Sequence, residues 1–150
     1  MRIFVTGAHG FLGNYLIPEL LKRKYEVIAT GKGKCRIKVT DTFVYEEMDF
    51  TNVQSVNHVF STYKPEVIVH AGAISKPDEC EDNRELAFDI NTQGTINLLK
   101  AAKPLNSFFI FISTDFVFDG LKGMYNEKDS PTPVNYYGQT KLLAEEKVKE

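Results

Sequence analysis

The sequence predicts an α/β fold in which a parallel β-sheet is covered by helices on both faces. Apolar, β-branched runs alternate along the chain with segments whose apolar residues recur at helical spacing. The runs are nearly continuous, which is typical of strands that are buried on both faces. A glycine-rich turn joins the first run to the first helical segment, as in doubly wound sheets.

The first half of the chain predicts three strands and two helices. Apolar runs predict strands over 2–6 and 25–30, and a weaker run predicts one over 43–48. A leucine-rich face predicts a helix over 11–23. A second helix is expected to begin at the N-cap Thr51 and to end at Tyr63, before Pro65.

The second half predicts two further strands and two helices. Apolar runs predict strands over 67–69 and 107–112. Apolar residues at helical spacing predict a long helix over 83–103 and a last one from about residue 134. The polar residues 74–82 are expected to form a loop.

Composition restricts the class of protein. The chain has 150 residues and a net charge of −2, so nothing favours binding to nucleic acid or to a membrane surface. Cys35 and Cys80 are far apart and lack metal-ligand spacing, so we expect free thiols, no metal and a cytoplasmic location. The apolar runs are too short for a signal peptide or a transmembrane helix.

The chain is expected to be one domain. A helical pattern still continues at Glu150 without a C-cap signal. We therefore expect residues 1–150 to be the N-terminal cofactor domain of a longer protein, whose C-terminal substrate domain is absent from this sequence.

The glycine turn after the first strand predicts a dinucleotide site. Gly7 permits a tight turn, Gly10 lets backbone amides approach a pyrophosphate, and Gly13 allows close packing of helix on strand. The phosphates would meet the N-terminus of the helix, where Phe11 and Leu12 begin it. A tight βα turn without a ligand is the alternative interpretation.

The end of the second strand favours NADP(H), with NAD(H) possible. An acidic residue commonly holds the ribose hydroxyls of NAD at this position, but here it is Thr30 or Gly31, followed by a basic loop that begins with Lys32. The cations suit a 2′-phosphate, which His9 could also touch. A solvated basic loop and an exposed histidine are the alternatives.

Two further segments are expected to border the cofactor. Asp49 and Phe50 follow the third strand and are placed to meet the adenine, although they could equally form a helix-capping turn. Ala71, Gly72 and Ala73 follow the fourth strand and offer a floor of small residues.

Tyr137 and Lys141 are candidate catalytic residues. They are four positions apart in a predicted helix and therefore share one face. A neighbouring ammonium is expected to lower the pKa of the phenol and to make it a usable general acid. Ser113 and Thr114 end the fifth strand, so their hydroxyls emerge where ligands bind in such sheets. A surface contact is the alternative interpretation of the Tyr–Lys pair alone.

Together these motifs resemble the extended short-chain dehydrogenase/reductase family. The run from Ser113 to Gly120, and the run from Glu127 through Tyr137-Gly138-Gln139-Thr140-Lys141, are similar to the dTDP-4-dehydrorhamnose reductase branch. The resemblance covers essentially the whole chain. It implies a Rossmann-type fold and the reduction of the 4-keto group of a nucleotide-linked 6-deoxysugar.

The resemblance also implies roles for individual residues. Tyr137 would protonate the keto oxygen, and Lys141 would hold the nicotinamide ribose and tune Tyr137. Thr114 would bond the same oxygen, with Ser113 as its less favoured substitute. Asn91 would support the site from the long helix, a role compatible with a buried asparagine that bonds to backbone.

Further expectations concern substrate and partners. The loop over 74–82 would border the nucleotide-sugar substrate, while Asp115 and Asp119 would order their own loop or contact substrate. A homodimer could form through the long helix and the Tyr137 helix. A regulatory subunit that binds NADP, like the methionine adenosyltransferase β subunit, and a sugar-nucleotide epimerase are alternatives. A dehydratase is disfavoured because Phe116 replaces an acidic residue.

Overall fold

Among the residues that the structure describes, five parallel strands form one sheet in the order β3-β2-β1-β4-β5. The computed structural model describes residues 1–39 and 41–150. The strands are β1 Arg2–Thr6, β2 Glu26–Gly31, β3 Val44–Glu47, β4 Val67–His70 and β5 Phe108–Phe111. The parallel register of every neighbouring pair confirms the predicted α/β class and the five predicted strands.

Six α-helices within the described ranges connect or flank the strands. They are α1 Phe11–Lys22, α2 Val53–Tyr63, α3 Pro77–Asp82, α4 Arg84–Phe88, α5 Gly94–Ala102 and α6 Tyr136–Lys149. Within the described ranges, no helix is long and apolar enough to cross a membrane.

The helix starts differ from the sequence prediction in two places. Asn52, not Thr51, caps α2: its side chain accepts the Ser55 amide at 3.0 Å, while the Thr51 hydroxyl donates to Asp49. The expected loop over 74–82 contains the short helix α3, which begins at Pro77 because the fixed φ of proline suits a first helical position.

The long helix predicted over 83–103 is interrupted. A π-helical segment, Asp89–Gln93, joins α4 to α5 and contains Asn91. Such π segments are frequent at functional sites because the extra residue re-aims side chains. Periodicity alone does not reveal one inserted residue, so the sequence predicted a single helix.

The two faces of the sheet carry separate apolar cores. Alternate residues of a strand point to opposite faces. Phe4, Ile28 and Ile68 therefore pack with α2 and α5 on one face, whereas the intervening strand residues pack with α1 on the other. Helices on both faces were predicted, and these two cores confirm them. β5 departs from the pattern, since Phe108 and Ile110 are exposed on one face of this edge strand.

Candidate active site

The glycine loop packs directly against the segment that follows β4. Gly7 has a φ of +67°, and a Cβ atom there would lie 2.7 Å from the Ala71 backbone, so only glycine fits. A Cβ atom on Gly13 would lie 2.6 Å from the Gly7 carbonyl oxygen, which explains how α1 packs back onto the loop. The loop thus lies at the carboxyl ends of β1 and β4, the switch point of the sheet.

The start of α1 offers unpaired backbone amides. Gly10 is the N-cap, and no side chain among residues 1–39 and 41–150 caps this helix. Because the first amides of a helix have no intrahelical partner, they can bind an anion. Phe11 and Leu12 begin the helix with exposed side chains beside these amides. This donor set fits a pyrophosphate.

His9 sits at the rim of the loop. Its ring stacks on Tyr45 at 5.2 Å, and its Nε2 atom accepts the Arg36 amide at 3.2 Å. Burial, and then the Arg36 charge, lower the pKa of His9. The imidazole is therefore mostly neutral near pH 7, and a contact between His9 and the 2′-phosphate stays a prediction.

The residues predicted at the adenosine end are engaged with one another. Thr30 is 1% exposed, and its hydroxyl donates to the Val5 carbonyl, so its side chain faces the core rather than the rim. Lys32 pairs with Asp49 at 2.8 Å. Burial would raise the pKa of Asp49, but hydrogen bonds from Lys32 and Thr51 outweigh it and lower the pKa.

Asp49 also forms the turn before α2, as the capping alternative expected. Its carboxylate accepts the amide of Thr51 at 2.9 Å and the hydroxyl at 2.7 Å. A contact between Asp49 and adenine stays a prediction.

Phe50 fills a slot that two glycines leave open. A Cβ atom on Gly72 would lie 2.6 Å from the Phe50 ring, and one on Gly94 would also collide with it. The ring meets His70 edge-on at 5.2 Å. Phe50 therefore joins the end of β3 to the segment Ala71–Ala73 and to α5, and its ring packs inside the domain.

A buried hydrogen-bond chain runs behind this segment. The Thr95 hydroxyl donates to the Asn91 carbonyl at 2.8 Å, so it must accept from His70 Nε2 at 3.0 Å. His70 Nδ1 is then an acceptor, and it accepts from the Thr6 hydroxyl at 2.6 Å. The chain fixes the Nε2–H tautomer of a neutral histidine.

The same chain of hydrogen bonds reaches the glycine loop, and it leaves no acceptor for a second proton on His70 Nδ1. The Thr6 hydroxyl also accepts the amides of Ala71 and Gly72, both at 3.1 Å. Burial, and then the nearby Lys141 charge, lower the pKa of His70 to about 3. His70 was not among the sequence candidates, since its role depends on partners distant in sequence.

Asn91 ties the segment after β4 to α6. Its amide oxygen accepts the Ile74 amide at 2.8 Å, and its nitrogen donates to the Ile74 carbonyl at 3.0 Å and to the Thr140 hydroxyl at 3.1 Å. Both the supporting role and the backbone-bonding alternative describe this geometry. The segment that touches the glycine loop at Ala71 is thus pinned to the Tyr137 helix.

Tyr137 is brought to the end of β5 by its neighbour Gly138. A side chain on Gly138 would collide with the Phe116 carbonyl oxygen and lie 2.9 Å from Pro133, so glycine allows α6 to approach this closely. Asn135 caps α6 by accepting the Gly138 amide at 2.8 Å. The Phe116 ring meets the Tyr137 ring edge-on at 5.7 Å.

The expected lowering of the Tyr137 pKa was wrong. Tyr137 is 7% exposed, and this burial raises the pKa of its phenol, while an interaction with the Thr114 side chain acts in the opposite direction. Lys141 is not among the groups that shift it. The phenol is therefore fully protonated near neutral pH.

Lys141 is held by β5 and by the residues that follow it. Its ammonium donates to the Ile112 carbonyl at 2.7 Å and lies 3.9 Å from the centre of the Phe111 ring. The residue is 3% exposed, and burial lowers the pKa of Lys141 to about 8, although Glu145 opposes the shift. The Lys141 ammonium therefore interacts with a carbonyl and an aromatic face, whereas the sequence predicted that its charge would act on the Tyr137 phenol.

The structure separates the two hydroxyls after β5. The Ser113 hydroxyl donates to the Glu145 carboxylate. The Thr114 hydroxyl donates to the Asp115 carboxylate and accepts the Phe116 amide, both at a long 3.3 Å, and it acts to lower the pKa of the Tyr137 phenol. Thr114 is the more available donor. Glu145 was missed, although its spacing of four residues from Lys141 could have indicated it.

The loop after Phe118 is ordered by its own aspartate. Asp119 accepts the Leu121 amide at 3.0 Å, the Thr132 hydroxyl at 3.1 Å and the Tyr125 hydroxyl. This confirms the loop-ordering interpretation of Asp119. The loop borders an open cleft of about 480 Å³, lined by Asp115, Phe116, Phe118, Asp119, Gly120, Tyr125 and Val134.

The sheet, the glycine loop and the Tyr137 helix are those of the extended short-chain dehydrogenase/reductase family. More narrowly, the chain belongs to the family described as "RmlD substrate binding domain", whose model matches residues 1–150. The family is named for substrate binding, but the region that matches its model also carries the glycine loop.

Two curated relatives are about equally similar to the chain. Methionine adenosyltransferase 2 subunit beta from Bos taurus is 35% identical over 99% of the chain and 43% of the relative. A dTDP-4-dehydrorhamnose reductase from Aggregatibacter actinomycetemcomitans is 35% identical over 96% of the chain and 45% of the relative. The chain thus spans less than half the length of these relatives.

Solved structures share the fold. A hypothetical dTDP-4-dehydrorhamnose reductase from Sulfolobus tokodaii has a TM-score of 0.84 and 36% identity, covering 98% of this chain and 51% of that one. The Bacillus anthracis reductase in complex with NADP has a TM-score of 0.83, 32% identity, and coverage of 99% and 49%. UDP-glucose 4-epimerase from Thermus thermophilus with NAD has a TM-score of 0.89, 26% identity, and coverage of 99% and 50%.

Proposed function

We propose that this chain forms the cofactor-binding and catalytic part of an NADP(H)-dependent reductase. Its substrate would be the 4-keto group of a nucleotide-linked 6-deoxysugar. The observation that carries the proposal is the packing of Tyr137 against Phe116, two residues after Thr114, at the end of β5 and on the same edge of the sheet as the glycine loop. The similarity to dTDP-4-dehydrorhamnose reductases supports this choice of substrate.

The residues around the switch point fit a nicotinamide dinucleotide. Gly7, Gly10 and Gly13 would cradle the pyrophosphate against the free amides of α1. Lys32, whose side chain is 62% exposed beside Asp49, would meet a 2′-phosphate. Ala71 and its small neighbours would form the floor. When bound, NADPH would supply the hydride.

Tyr137 would donate the proton to the keto oxygen. The product alkoxide is a much stronger base than a phenolate, so a phenol with a raised pKa still protonates it, and it is fully loaded with its proton at neutral pH. The Thr114 hydroxyl would donate a hydrogen bond to the same oxygen and stabilise the developing charge.

Lys141 would hold the nicotinamide ribose. An ammonium has three N–H donors, and one of them is given to the Ile112 carbonyl. In this proposal the remaining N–H groups would donate to ribose hydroxyls at the end of β5. The sugar of the substrate would lie in the cleft beside Phe116, whose volume of about 480 Å³ is ordinary for a small-molecule site.

The reductase proposal is tested with the full-length protein. Incubation with NADPH and dTDP-4-dehydrorhamnose should decrease the absorbance of NADPH. Tyr137→Phe should lower kcat at least about a hundredfold, because it removes a positioned general acid, and should leave NADPH affinity nearly unchanged. Turnover by Tyr137→Phe at the wild-type rate would contradict the assignment.

A regulatory role is the second candidate. The relative from Bos taurus is a subunit of methionine adenosyltransferase and matches as closely as the reductase does. NADPH binding without any turnover, together with co-purification with a methionine adenosyltransferase catalytic subunit, would favour this role. Sugar product without net consumption of cofactor would instead indicate an epimerase.

The proposed homodimer has partial support from surface composition. Leu86 and Phe88 on α4 and Leu143 on α6 are exposed apolar side chains on the helices expected to pair.

A further inference from the structure

Side chains of helix α6 form hydrogen bonds with two successive residues after β5. The Lys141 ammonium donates to the Ile112 carbonyl at 2.7 Å, and the next residue, Ser113, donates its hydroxyl to Glu145. Tyr137, Lys141 and Glu145 follow one another at four-residue spacing and share one helix face. The strand end that carries Thr114 is therefore fixed by the turns of α6 that follow Tyr137.

Two lysines lie one helical turn from Glu145 on α6, and their side chains differ in exposure. The Glu145 side chain is 22% exposed, and Lys149 approaches it at 3.6 Å from the solvent side. Lys141 lies one turn earlier on the same helix face and is 3% exposed. A buried charge is costly unless it is paired, and the Ile112 carbonyl is neutral.

The negative charge of Glu145 acts to raise the pKa of Lys141. The other titratable groups near this face are His70 on β4, Cys80 on α3 and Asp115 after β5. His70 is neutral because of the Thr6–Thr95 chain, and burial raises the pKa of the Cys80 thiol, so neither carries a charge at pH 7. Asp115 acts on Tyr137.

We propose that Glu145 is a positioning residue of the reductase site: its carboxylate holds Ser113 at the end of β5 and serves as the counter-charge of Lys141. This inference rests on the proposed function, because it takes Thr114 and Lys141 as the groups that must be placed. Glu145 itself touches neither the keto oxygen nor the cofactor.

The two roles can be separated by substitution. Glu145→Gln keeps an oxygen that accepts from Ser113 but removes the charge. Ser113→Ala keeps the charge but removes the hydrogen bond. Glu146→Gln, at the exposed neighbouring position, changes the same charge without facing Lys141 and is the matched control.

The charge is tested by NMR titration of the Lys141 Cε resonance in the full-length protein. Burial already holds the pKa of Lys141 near 8, so removing an opposing carboxylate should move the titration midpoint down by about one pH unit in Glu145→Gln. The midpoint should stay unchanged in Ser113→Ala and Glu146→Gln. Equal midpoints in Glu145→Gln and wild type would overturn the counter-charge.

The hydrogen bond is tested by kinetics. Ser113→Ala should lower kcat about tenfold through misplacement of Thr114, with NADPH affinity unchanged. Glu145→Asp should recover part of any activity that Glu145→Ala loses. Wild-type kcat in Ser113→Ala would overturn the positioning role.

Failure of the proposed function would give a different pattern. The NMR midpoint does not depend on turnover, so a shifted midpoint in a protein without reductase activity would keep the counter-charge and reject the reductase. Thermal unfolding of each variant shows whether it is folded, and Glu145→Ala takes the place of Glu145→Gln in the titration if Glu145→Gln is unfolded.

Discussion

The neutral, fully buried His70 should make the protein less stable in acid by a calculable amount. The pKa of His70 is about 3 in the fold against 6.5 for an ordinary histidine. Between these values the unfolded chain binds a proton that the folded protein does not. Stability is therefore fully present above pH 6.5 and is lost as the pH falls toward 3.

The magnitude follows from the shift. Each pH unit in this window costs about 1.4 kcal/mol, so lowering the pH from about 7 to about 5 should remove about 2 kcal/mol through His70 alone. The complete loss at about pH 3 would approach 5 kcal/mol. Carboxylates add their own acid dependence, so the effect must be read as a difference between variants.

The assay is urea unfolding of wild type and His70→Gln at about pH 7 and about pH 5. Glutamine does not titrate, so the variant should lose about 2 kcal/mol less than wild type between these two pH values. His70→Gln will be less stable at both, because it disturbs the bonds to Thr6 and Thr95, but the comparison uses each protein's own change. His58→Gln, on the exposed side of α2, should behave like wild type. An equal loss of stability between the two pH values in His70→Gln and wild type would refute a neutral His70 that is hydrogen-bonded at both ring nitrogens.

Three further substitutions test the glycines and the basic loop. Gly138→Ala places a methyl group against the Phe116 carbonyl, and the cost of overpacking, about 1–3 kcal/mol, should exceed the gain in helix propensity of about 1 kcal/mol. Tm should therefore fall by a few degrees in Gly138→Ala but not in the exposed control Gln139→Ala, and equal Tm values would contradict the close approach of α6. Gly13→Ala, with its Cβ 2.6 Å from the Gly7 carbonyl, should weaken NADPH binding about tenfold in fluorescence titration, and unchanged binding would speak against the phosphate loop. Lys32→Ala should weaken NADPH about two- to fivefold and leave NADH unchanged, since an exposed charge pair contributes about 1 kcal/mol or less; equal losses for both cofactors would reject the 2′-phosphate contact.

Features that depend on local sequence were predictable. The glycine loop and the strand runs are written in consecutive residues, and their geometry agrees with expectation. Asn135 caps the Tyr137 helix by accepting the Gly138 amide, a contact that spans three residues. The parallel order of the strands followed from the alternation of strand and helix.

Features that depend on partners distant in sequence were not predictable from the sequence. The Lys141 ammonium was assigned to Tyr137 by spacing, but a carbonyl 29 residues away in sequence binds it. Thr30 was read as a rim residue, yet its hydroxyl turns to β1. Spacing along a helix shows which side chains are neighbours but not which strand lies opposite them, so the direction of the Tyr137 pKa shift was also missed.

The Phe50 slot restricts the order in which this domain can change during evolution. Gly72 and Gly94 come from different elements, and each leaves room for the same ring. A larger residue at either glycine becomes tolerable only after Phe50 has been replaced by something smaller, whereas the reverse order passes through a clash. Among relatives the three positions should therefore vary together, and a small residue at position 50 should precede any side chain at 72 or 94.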